Sequence, residues 1–346
     1  MRGVLIAAIL AAAATGRQAG ALMAAEPIGL IFDTDICGDC DDVLALGMIH
    51  ALQSRGQCRL LAVTISADHE LAAPFVDAVN TFYGRGGIPI GVVGAGGVRK
   101  ESRYLRLAEE KDGEQLRFPR TLGAGRDAPP ATRVLRQALA QAPDASVVVV
   151  QVGFSTNLAR LLETPADDLS PLGGIELVRR KVKLLSIMGG AFLPVGGEAS
   201  FREYNVVNDI PSCQTLVDRW PTPVVFSGFE VGIAVTYPAS SIERDYGYVS
   251  HHPLSEAYIL YEPPPHNRPT WDLTSVLYAV LGDRGYFELS APGRVRVDDQ
   301  GVTRFEVADS GPHAYLILRA EQRARVVEAL VQLSSQPPSR LAAGEP

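Results

Sequence analysis

Five carboxylates crowd the ten residues Asp33-Thr34-Asp35-Ile36-Cys37-Gly38-Asp39-Cys40-Asp41-Asp42, with apolar runs on both sides, Ile28 to Phe32 before and Val43 to Leu52 after. The first run has the length of a strand and the second that of a helix, so the acidic stretch is a strand-to-helix turn. In an open α/β sheet, turns at the carboxyl ends of the strands converge on one crevice, where ligands bind. Carboxylates that repel each other at this density need a cation or sugar hydroxyls to take up their charge; a single acidic cap on a solvated turn would not. Oxygen-only donors select a hard cation such as Ca²⁺ or Mg²⁺. The positive end of the helix that opens near Asp41 favours the same anionic cluster.

Beyond this turn, short β-rich runs alternate with helical stretches. Strands are expected at Arg59 to Ser66, Ile88 to Val93, Ser146 to Val152, Val182 to Met188 and Pro223 to Phe226. Helices are expected at Ala73 to Tyr83, Ala131 to Ala140, from Leu158, at Leu273 to Leu281 and at Glu321 to Leu333. The continuous apolar character of Ser146 to Val152 and Val182 to Met188 suits strands buried on both faces. Strand and helix in alternation predict one open α/β domain around a mostly parallel sheet, spanning residues 26–336. A β-hairpin is expected around Asp298-Asp299-Gln300-Gly301, and residues 337–346 read as a frayed tail.

Two segments break the alternation. From Ala95 to Ala128 the chain is Gly-rich and charged, including Arg99-Lys100-Glu101, and reads as a solvated surface excursion with one helix around Tyr104 to Glu110. Residues Tyr237 to Asn267 are rich in Tyr, His and Pro and read as irregular structure bordering the site.

The first residues have the pattern of a secretory leader. Arg2 precedes an apolar stretch, Val4 to Ala14, and cleavage patterns follow at Ala19-Gly20-Ala21 and after Ala24 or Ala25. The stretch is too short to span a membrane, and a periplasmic or secreted location is expected. Cleavage after residue 21 removes Arg2 and Arg17 and no acid, taking the formal charge from −7 to −9. That acidity argues against nucleic acid or an anionic membrane as partner. The expected partner is a small molecule, with a homo-oligomer left open. Cys37, Cys40, Cys58 and Cys213 are too scattered for a disulfide framework. Cys37 and Cys40 are either packing residues or one disulfide formed after export.

Other polar residues follow the expected strands. They are Asp68, Thr156 with Asn157, the segment from Gly189 to Asp209 with Glu203, Asn205 and Asp209, and Glu230. Asp272 is a late acid that would serve equally as a helix cap, and Trp271 beside it is either core or a stacking platform.

These residues resemble the nucleoside hydrolase family, which cleaves the N-glycosidic bond of ribonucleosides. Its Asp-Thr-Asp-Pro-Gly-x-Asp-Asp turn is matched by Asp33-Thr34-Asp35 through Asp41-Asp42, two residues longer. Gly153-Phe154-Ser155-Thr156-Asn157, Met188-Gly189-Gly190, Glu203-Tyr204-Asn205 and Asp272 match its later motifs. The resemblance implies a Ca²⁺ ion on Asp35, Asp42, the Thr156 carbonyl and Asp272. It also implies ribose contacts from Asp41, Glu203 and Asn205, and Asp35 as the catalytic base that takes a proton from a metal-activated water.

The departures from the family pattern bear on the substrate. The two extra residues make Asp39 an alternative to Asp41 at the sugar, and Asp68 stands where many members have an Asn. Trp271 replaces the His that protonates the leaving base in inosine-uridine-preferring members. Purine-specific members also have a Trp there, so the resemblance implies a purine nucleoside. His251, His252 and His266 are the other candidate acids. A different glycoside on the same fold, or sugar binding without catalysis, are the alternatives.

Overall fold

In the computed structural model, residues 26–339 are described. The leader expected at 1–25 and the tail residues 340–346 lie outside them. The centre is a ten-stranded sheet. Its main strands are β1 (Ile28–Thr34), β2 (Cys58–Ile65), β3 (Ile90–Val92), β4 (Val147–Gln151), β5 (Val182–Met188), β6 (Val224–Ser227), β7 (Gly293–Val297), β8 (Thr303–Val307) and β9 (His313–Ile317). Their order across the sheet is β8-β7-β9-β6-β5-β4-β1-β2-β3. From β9 to β3 the neighbours are parallel; β7 joins β9 and β8 antiparallel, as the expected hairpin.

Period-two alternation explains why the sheet is buried on both faces. Leu30, Phe32, Val148 and Val150 enter one hydrophobic core, while Ile31, Val147 and Val149 enter the other. Helices α1 (Asp41–Ser54), α2 (Ala72–Phe82), α11 (Trp271–Leu281) and α12 (Arg323–Ser334) cover the first core. Helices α3 (Ala131–Gln141), α4 (Thr156–Glu163), α5 (Gly174–Lys181) and α7 (Ile210–Arg219) cover the second. No helix of the described residues is long and apolar enough to cross a membrane.

The chain leaves β1 toward β2 and β3 on one side, and later builds β4, β5 and β6 on the other. The strand order therefore reverses between β1 and β4, the place where open α/β sheets bind ligands. The acidic turn lies at that point. Gly153, just after β4, permits the close approach of the two strand ends: a Cβ there would lie 2.4 Å from the Asp35 nitrogen.

The segment read as irregular contains helices α9 (Ala239–Arg244) and α10 (Pro253–Tyr261). Pro253 sits in the first turn of α10, where a missing N–H costs nothing, and Leu254, Ala257 and Tyr258 keep helical spacing toward the core. Proline content obscured that spacing. In the charged excursion a short 3₁₀ turn, Leu105–Glu109, takes the place of the expected helix. The excursion is nonetheless pinned down, because buried Asp77 accepts hydrogen bonds from the Thr121 and Leu122 backbones at 2.6 and 2.7 Å.

His50 in α1 is fully buried, stacked on Tyr83, with Nε2 2.8 Å from Asn80 Oδ1 and Nδ1 3.2 Å from Arg85. Burial, then the Arg85 charge, lowers its pKa to about 3. A base with a depressed folded pKa contributes stability that is present above the unfolded value of 6.5 and lost as pH falls toward 3. Lowering the pH from about 7 to 5 is expected to cost about 2 kcal/mol at this residue. Urea unfolding of the wild type and of His50→Gln at both pH values checks this, the variant losing correspondingly less.

Candidate active site

The acidic turn, the ends of β4 and β5 and the first turn of α11 enclose a pocket of about 550 Å³. Asp35, Asp39, Asp41, Asp42, Glu203, Asn205, Trp271 and Asp272 line it, together with Arg99, Lys100 and Arg268. Its size suits a small molecule.

Two helices start at its floor. Asp41 and Asp42 occupy the first turn of α1 and Asp272 the first turn of α11, so two positive helix ends meet three carboxylates. One oxygen from each of the three lies within 4.8 Å of the others, and all three residues are buried. Asp41 Oδ2 accepts from the Asp272 backbone N–H at 3.2 Å, and Asp42 accepts from the Thr34 hydroxyl. No hydrogen bond reaches either Asp272 carboxylate oxygen among the described residues. Burial, and then the charges of neighbouring aspartates, pushes all three carboxyls well above the usual range. Hard oxygen donors that are buried, mutually repelling and incompletely paired fit a divalent cation.

Asp35, whose charge also acts on Asp42 and Asp272, pairs with a lysine. Its Oδ2 is 2.8 Å from Lys100 Nζ, and the two side chains are only 7% and 13% exposed. Lys100 Nζ also lies 4.6 Å from the Tyr204 ring centre and 5.3 Å from that of Phe154, so two aromatic faces help hold the cation. Burial works against the ammonium, but Asp35 outweighs it and raises the Lys100 pKa. The tip of the lysine packs on Gly38, where a Cβ would lie 2.5 Å from Nζ. Asp39 has its own cation, Arg268, whose Nε donates to Oδ1 at 2.9 Å. Tyr104 donates to the Asp39 carbonyl at 2.7 Å. Gly38 and Asp39 of the lengthened turn thus each receive one cation that arrives from far along the chain.

Beneath the pocket, Asp33 is fully buried and accepts from Thr64 Oγ1 at 2.5 Å and Asn157 Nδ2 at 2.9 Å. Burial raises its pKa to about 7. Glu203 caps α6 (Tyr204–Asn208), accepting from the backbone N–H groups of Asn205, Val206 and Gly190 at 2.9, 3.1 and 3.2 Å. Burial raises its pKa to about 7 against those bonds. Asn205 Nδ2 donates to the Val152 carbonyl at 2.9 Å and the Met188 carbonyl at 3.3 Å, tying the ends of β4 and β5 together.

One wall is aromatic. The ring centres of Phe201 and of Phe229, which opens α8 (Phe229–Ile233), are 4.3 Å apart, those of Phe229 and Trp271 5.2 Å, and Trp271 Nε1 donates to the Phe229 carbonyl at 3.0 Å.

The pocket brings together Asp35, Asp41, Asp42, Glu203, Asn205, Trp271 and Asp272, but not Thr156 or Asp68. Thr156 opens α4, so its carbonyl belongs to the helix ladder, and its hydroxyl bonds Asp209. The backbone that lines the pocket at the end of β4 is Val152 instead. Asp68 is turned outward onto Arg99 at 3.2 Å and is 39% exposed in its side chain. The three candidate histidines are also elsewhere: His251 pairs with Glu256 and His266 with Glu262, while His252 is buried against Phe82 and Tyr246. All four cysteines are free thiols in buried positions.

Sequence reasoning missed Lys100 and Arg268. Lys100 was hidden in a charge run whose neighbours Arg99 and Glu101 are exposed. The one available signal was the unbalanced charge of the acidic turn itself.

The comparisons with known proteins agree with this geometry. The profile of the family described as inosine-uridine preferring nucleoside hydrolase matches residues 30–332. Among solved structures, a purine-preferring ribonucleoside hydrolase from Gardnerella vaginalis is similar at a TM-score of 0.67 and 16% identity, covering 89% of this chain and 98% of its own. A plant nucleoside hydrolase has a TM-score of 0.63 at 20% identity, with coverage of 90% and 100%. An inosine-uridine preferring nucleoside hydrolase from Bacillus anthracis has a TM-score of 0.63 at 17% identity, with coverage of 89% and 99%. None of the curated proteins compared with the sequence matches it. With the family profile spanning most of its length and its fold shared with these enzymes, the chain belongs to the inosine-uridine preferring nucleoside hydrolase family and is an N-glycosyl hydrolase.

Proposed function

We propose that this enzyme hydrolyses ribonucleosides, purine nucleosides above pyrimidine ones, with a Ca²⁺ ion at the Asp41, Asp42 and Asp272 carboxylates. The observation that carries the reading is the pocket's division into an acidic floor, with Asp35 beside it, and an aromatic wall of Phe229 and Trp271. A cation on that floor supplies the positive charge that makes a neighbouring water acidic enough to act as nucleophile near neutral pH.

The remaining roles belong to the chain. Asp35, held in place by Lys100, accepts the water's proton. The floor carboxylates face the ribosyl carbon, where positive charge develops as the base departs. Asp41 and Asn205 present polar groups to the sugar hydroxyls; Asn205 Oδ1 has no hydrogen bond among the described residues. The aromatic wall stacks on the flat leaving base. Among the described residues no histidine lines the pocket, so departure of the base relies on stacking and on the base's own ring nitrogens.

The test is release of reducing sugar from a panel of ribonucleosides by the purified protein, with Ca²⁺ and after chelation. Ribose release that stops on chelation and returns with Ca²⁺ supports the reading. A protein that binds Ca²⁺ and releases no sugar from any ribonucleoside refutes it and points to another glycoside. Trp271→Ala is expected to remove about 1–3 kcal/mol of base stacking. That raises KM roughly tenfold for purine nucleosides and less for pyrimidine ones, which steady-state kinetics on inosine and uridine will show.

A further inference from the structure

We propose that strand β8, the open edge of the sheet, pairs antiparallel with β8 of a second copy of this chain, with Phe305 on the two-fold axis. The protein is then a dimer with one sheet running through both subunits. β8 ends the strand order, and among the described residues only β7 pairs with it. Its backbone is set for a further strand. The Val295 N–H donates to His313 Nδ1, on the β9 side, at 2.8 Å, and the Ala308 N–H donates back to the Pro292 carbonyl at 3.0 Å. In an antiparallel ladder successive residues direct their N–H and C=O groups to opposite sides. Arg304 and Glu306 therefore bond β7, while Thr303, Phe305 and Val307 direct theirs away from the sheet. Among the described residues nothing outside β8 takes up those outward groups. An open edge of five residues, with Val307 70% exposed, is a pairing site unless its side chains prevent it.

Charges on an edge ordinarily do prevent it. Here their order admits one partner. Arg304 and Glu306 lie on one face of β8, both exposed, while Phe305 packs against Phe192 and Tyr315 on the other. Glu306 has no ion pair among the described residues, and Arg304 has a long contact of 3.6 Å with Asp298. With Phe305 opposite its own copy, Arg304 faces the partner's Glu306, and the two-fold axis makes that contact twice. The smallest slide that keeps the outward groups matched sets Arg304 against the partner's Arg304, or Glu306 against the partner's Glu306. Opposite charges directly across a sheet stabilise the pair and like charges destabilise it, so the sign pattern selects this register over its neighbours. The inference is independent of the metal and substrate readings.

The test is sedimentation equilibrium of the full-length wild type, of Glu306→Arg, of Arg304→Glu and of the two variants mixed in equal amounts, from micromolar to hundreds of micromolar. The wild type should dimerise reversibly in this range. Each variant alone sets like charges together twice and should dimerise at least tenfold more weakly. In the mixture one subunit is positive at both positions and the other negative, so the dimer should recover to within about threefold of wild type. Val307→Pro removes an outward N–H without changing charge, at a place where proline costs an edge strand little. It should weaken the dimer at least tenfold while melting near the wild-type temperature, and it stands in for a charge variant that fails to fold. A wild type that stays monomeric throughout overturns the proposal. So does a dimer that any of these variants leaves at full strength, or a mixture as weak as its components.

Discussion

Replacing Asp272 by alanine is expected to lower ribose release by at least a thousandfold, to weaken Ca²⁺ binding by more than about a hundredfold, and yet to raise the stability of the metal-free protein. Loss of a partner one step removed from a metal typically costs about 10–100-fold in affinity, so loss of a ligand costs more. The stability gain has a separate cause. Asp272 is buried, its carboxylate is unpaired among the described residues, and Asp41 and Asp42 repel it, so its pKa is held well above the usual range. An acid whose folded pKa is raised destabilises the fold as pH climbs above its unfolded value of 3.8. Thermal melts with and without Ca²⁺, beside the kinetic assay, check both halves. A variant that loses activity, melts lower and still shifts with Ca²⁺ would place the cation elsewhere.

Asp35→Asn should cost about 10²–10⁴-fold in the hydrolytic rate, the range for a positioned proton acceptor. It should also lower stability by roughly 3 kcal/mol, because it strands the buried Lys100 ammonium. Adding Lys100→Met to Asp35→Asn should restore most of that stability and none of the activity. Urea unfolding and single-turnover ribose release on the two variants separate the ion pair's structural part from its chemical one.

Much of this architecture is local and legible in the chain. The apolar run before Asp33, the helical run after Asp42 and the buried strands at β4 and β5 each carry their own periodicity. Their alternation is enough to indicate a parallel sheet with its site at the strand ends. The errors came where a local cue had two physical readings. Thr156 sits in a matching motif, but as the first residue of α4 its carbonyl is committed to the helix. Asp68 follows a strand as a site residue would, but Arg99 on the neighbouring short strand draws it outward. The proline-rich segment hid α10 because its helical spacing is only nine residues long.

Neighbouring residues alone indicate that an acidic turn ends the central strand, that it needs positive charge, and which motifs surround it. Such features depend on residues within a few positions of each other. Which group answers which carboxylate emerges only when the chain is folded. Asp35 meets Lys100 from 65 positions away, Asp39 meets Arg268 from 229, and Asp41 meets the Asp272 backbone from 231. No periodicity encodes those distances. They follow from the reversal of strand order between β1 and β4, which brings two helix ends and a charged loop over one crevice, where burial makes every unpaired charge costly.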